Sequence, residues 1–139
     1  MTDREMLHLA AKAAGYKVIK EFTYQITVTC GYPNLFDGVD FFGLVIDDGD
    51  KIKSPWNPLD DDGDALRLAV RLGISITPYP IYSKDKHAVI VKQRRYGDAM
   101  RESNPTEVLE PYGEDREAAV RRAIVRSAAA IVEAQHENS

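Results

Sequence analysis

The chain predicts an α+β domain, with elements in the order α-β-β-α-β-β-α and a mostly antiparallel sheet covered by helices. Three observations carry that expectation. Three segments repeat apolar residues at helical spacing, while the segments between them are short, β-branched or aromatic and bounded by Gly, Pro, Asn or Asp. The chain has 139 residues, 44% hydrophobic and 29% charged, which suits one domain with one core. Helices and strands are interleaved, so each must bury its apolar face on the other kind.

The first helix is expected over residues 3–14. Thr2 and Glu5 form a capping box, in which the threonine oxygen accepts from the Glu5 amide and the glutamate reaches back. Met6, Leu9, Ala10 and Ala13 follow at helical spacing, and Gly15 is a natural stop. Phe22, Tyr24, Ile26 and Val28 alternate with polar partners, predicting a half-buried strand. The turn-rich CGYPNLFDG, residues 30–38, leads to a second strand from Phe41 to Ile46, and the two strands make an antiparallel elaboration at about 16–54.

The second helix begins in WNPLDDDGDALRLAVRLGI, Trp56 to Ile74. Asp60 is the expected N-cap, with Asp61 and Asp62 in the first turn, where acids meet free amides and a partial positive charge. Leu66, Ala69, Val70 and Gly73 form the expected buried stripe, widened by Leu68 and Leu72, with Arg67 and Arg71 on the wet side and Asp64 paired to Arg67. A third strand spans Ile74–Thr77, and Pro78 and Pro80 make it an edge or a bend. His87–Lys92 is the fourth strand, KQRRYGDAMRESNP a polar connection, and the last helix runs from about Glu114 to Ala134. Val120, Ala123, Ile124, Ser127 and Ile131 line its inner face. No sequence repeat is visible.

Composition narrows the function. Net charge is −4 and the pI about 5.4, so direct DNA binding is disfavoured, because neutralising phosphates needs a basic surface. Charge is uneven: residues 37–64 hold nine carboxylates against two lysines, and residues 84–101 hold six bases against two acids. Two faces of opposite sign are expected. One cysteine, Cys30, rules out an internal disulfide and fits a reducing cytoplasm. The charged MTDREML start lacks the apolar core of a secretory signal, and the longest apolar run, Ala128–Val132, is too short for a bilayer.

Motifs for chemistry are missing. The acids of residues 60–64 resemble a calcium loop, but with Gly63 in the turn position Pro58 and Ala69 fall where the first and last ligands belong. Three scattered histidines and one cysteine make no zinc set. There is no G-x-S-x-G, no Walker loop and no G-x-G-x-x-G. No metal, cofactor or catalytic residue is therefore assigned, and an enzyme is the lesser expectation.

Two segments offer binding chemistry. The first is GYPNLFDGVDFF and the acids beyond it. Tyr32 and Phe36 are candidate interface anchors, with Asp37, Asp40, Asp47 and Asp48 facing a basic partner. The second is Lys92-Gln-Arg-Arg-Tyr96, in which Lys92, Arg94, Arg95 and Tyr96 are arranged to hold a phosphate and a base.

MTDREMLHLAAKAAG, WNPLDDDGDALRLAVRLGI and DREAAVRRAIVRSAAAI together resemble small accessory proteins of tailed phages and prophages that carry a phage ABA-sandwich domain. The distinctive run is W-N-P-L-x-D-D-G-D-A-L-R-L-A. The resemblance implies a three-layer α/β/α arrangement, a phage origin and a place in the host cytoplasm. It brings no activity and no site residue. This chain departs from it at Tyr16–Ser54, which is longer. The expected function is non-enzymatic: binding and inhibiting a host protein, as an anti-defence factor would. The alternatives are a protein that sequesters a nucleotide-like signal, with a homo-oligomer forming the pocket, and a small hydrolase or transferase assembled from scattered residues.

Overall fold

A computed structural model describes residues 1–25, 40–47, 49, 53–78, 88–96 and 102–137. Among these described residues it holds three helices and two three-stranded antiparallel sheets. Helix α1 (Asp3–Ala14) leads into β1 (Lys17–Gln25), β2 (Asp40–Asp47) and β3 (Lys53–Trp56). Helix α2 (Asp62–Leu72) leads into β4 (Ile74–Pro78), β5 (Ala88–Tyr96) and β6 (Glu102–Pro111), and α3 (Arg116–Glu137) follows. Each sheet has its strands in chain order, β1-β2-β3 and β4-β5-β6. The α+β class and the antiparallel pairing are as the sequence predicts.

The expected order lacked two strands. Strand β3 is only KSPW, too short for a periodic signal. Its Pro55 pairs with Val45 on an edge strand, where a missing amide is tolerated. Strand β6 lay inside and beyond what read as a polar connection. Its Pro105 falls where the β5–β6 register slips: Gln93 faces Thr106 but Arg95 faces Ser103, so β6 carries one extra residue there. Strand β1 starts five residues before Phe22 for a related reason. Val18 faces Ile46 and Lys20 faces Val45, so Ile19 is an extra residue that breaks the alternation. The expected end of that strand, residues 26–29, lies outside the described residues.

Cap chemistry fixes the helix ends. In α1 the Thr2 hydroxyl accepts the Glu5 amide at 3.2 Å and Glu5 accepts the Thr2 amide at 2.8 Å. In α2 the N-cap is Asp61, not Asp60: its carboxylate accepts the Gly63 amide at 2.9 Å. Asp60 lies one residue earlier because Asn57 has already turned the chain, its side-chain oxygen accepting the Leu59 amide. Gly15 and Gly73 close α1 and α2 alike, at φ of 78° and 67°, each donating its N–H to two carbonyls of the last turn.

The buried face of α2 differs from expectation. Ala65, Leu68 and Ala69 are buried and Leu72 half-buried, whereas Leu66 is 60% and Val70 74% exposed. Two apolar stripes fit this helix, one residue out of phase. The choice is made by Asp64, which is buried and accepts the Asn57 amide at 3.0 Å, so its side of the helix turns inward.

The core is continuous. Helix α3 packs on α1, on α2 and on all three strands of the second sheet, while α1 covers β1 and β2. Ala123, Ile124, Val125, Ala128, Ala129, Ile131 and Val132 are buried, a wider band than the expected face. Alanines let α1 and α3 approach closely, with Ala10, Ala11 and Ala14 buried on the α1 side. No helix among the described residues is long and apolar enough to cross a membrane.

Candidate functional site

The stretch 56–64 is the joint of the molecule. Trp56 is buried, its ring 5.8 Å from Tyr16 in an edge-to-face contact, and Arg71 lies over the other ring at 4.9 Å. Arg71 also donates to the Ala14 carbonyl, tying the end of α2 to the end of α1. Asn57 donates its side-chain amide to the Phe42 carbonyl and to Asp60. The acids after it are mostly helix-start and ion-pair groups. Asp64 pairs with Arg67 at 2.8 Å, and Asp62 with Arg121 at 2.6 Å.

A polar cleft of about 480 Å³ opens beside this joint. Three helix starts converge there, represented by Asp3, Asp60 and Asp115, with Glu110, Arg121 and Arg122 between them. Arg121 donates to the Leu59 carbonyl and to Asp62; Arg122 donates to Asp3 at 2.8 Å; Arg126 reaches Glu110. Burial pushes the Asp60 carboxyl above the ordinary aspartate range, against the pull of Arg121 and with help from Asp3. The two cleft arginines are spent on protein acceptors, so this reads as the clasp joining α1, α2 and α3.

Among the described residues a different surface is apolar and open. Leu66 and Val70 stand one turn apart on the outer side of α2. Beside Leu66 a groove of about 300 Å³ runs between α2, β4 and α3, floored by Ala65, Ile76, Val120 and Ile124 and edged by Asp62, Glu117 and Arg121. An apolar groove rimmed by charge is the form of a protein-docking site. Sequence reasoning missed it because it placed Leu66 and Val70 in the core. The clue was Arg67 and Arg71: they mark a wet side, and Leu66 and Val70 each precede one of them.

The predicted binding residues are only partly in view. Tyr32, Phe36, Asp37 and Asp48 lie outside the described residues. Asp40 starts β2 opposite Gln25, and Asp47 faces Lys17 and accepts the Gly49 amide at 2.9 Å in a tight turn. Lys92 is exposed on β5. Arg94, Arg95 and Tyr96 continue that strand, with Arg95 opposite Ser103 and Tyr96 opposite Glu102. Among the described residues no group of acids, histidines or cysteines is placed to hold a metal ion.

The chain matches no protein-family model, no curated protein and no solved structure.

Proposed function

We propose that this is a non-enzymatic, phage-encoded accessory protein that acts in the host cytoplasm by occupying a host protein. The outward pair Leu66 and Val70 beside an apolar groove is the observation that carries the reading. Holding two large aliphatic side chains in water forgoes about 1.5–3 kcal/mol each, an outlay that a docking surface recovers on binding. The phage origin rests on the resemblance of the three quoted stretches. The acidic segment 37–64 adds a charge preference for a basic partner.

The test is native mass spectrometry of the purified protein before and after incubation with host lysate, run beside the double variant Leu66→Glu/Val70→Glu. A retained host protein that the variant loses is the expected outcome. Retention that survives the double variant moves the contact elsewhere, and a bound mass of a few hundred daltons sinks the reading in favour of a sequestered small molecule.

A further inference from the structure

We draw no further inference here: the strongest candidate, the apolar groove between α2, β4 and α3, belongs to the docking face already described, its rim acid Asp62 is paired with Arg121, and nothing in the structure shows the shape or charge of what covers it.

Discussion

Single residues decide how water and charge are handled. Ser127 sits in the middle of α3, fully buried, with its hydroxyl unpartnered. A buried hydroxyl without a partner costs about 1–3 kcal/mol, so Ser127→Ala should leave the protein as stable or about 1 kcal/mol more so in urea titration. Asp64 is the opposite case, a buried carboxylate answered by the Asn57 amide and Arg67. Asp64→Ala orphans that amide and should cost about 2 kcal/mol in the same assay. Glu21 faces His8 and Arg4, whose hydrogen bonds hold its carboxyl below the ordinary glutamate range. The folded form keeps the charge at a pH where the unfolded form has taken a proton. Its stabilising contribution is therefore full above the ordinary value and fades as pH falls through the lowered one. Acid unfolding of Glu21→Gln should show a shallower loss in that window; an unchanged acid limb would remove Glu21 from the account. The Asp64–Arg67 pair was legible beforehand as an i, i+3 contact; the partners of Glu21 were not, because they lie 13 and 17 positions away in the chain, and the Asn57 amide meets Asp64 only because that helix face turns in.

Elements were legible where the signal is local. The Thr2–Glu5 capping box and the Gly15 stop give α1 its expected bounds, since caps are contacts within a few residues. Gly73 at φ 67° ends α2 in the same way, and Gly73→Ala should cost about 1 kcal/mol because a Cβ is strained in that region. What misled was phase. Leu66/Val70 and Leu68/Leu72 are two apolar stripes on one helix, and Asp64 accepting from Asn57 together with Arg71 donating to Ala14 hold the second one inward. That selection makes the candidate docking surface. Since Leu66 and Val70 support no core packing, Leu66→Glu/Val70→Glu should change unfolding free energy by less than about 0.5–1 kcal/mol; a large loss would return both residues to the interior. Strands β3 and β6 escaped notice because proline and polar residues hide an edge strand from period-two counting.

The whole molecule carries a pattern that the sequence does not display. A helix closed by a left-handed glycine, then three antiparallel strands in chain order, occurs twice, and α3 packs across both units. Repetition of order without repetition of sequence is invisible to a scan for internal similarity. The class of fold was readable because composition and periodicity fix it. The division of strands between two sheets was not, because pairing is chosen by contacts far apart in the chain.

That shared helix gives the protein a timetable. Arg122 of α3 clasps Asp3 of α1 across 119 positions. On the ribosome α1 therefore waits, with Met6, Leu7 and Ala10 uncovered, while two meanders are made after it. A nascent chain halted before Arg116 should be cut readily by protease, and one extended past Glu137 should resist it. The last helix works as a latch, and until it closes the apolar face it covers is open to aggregation.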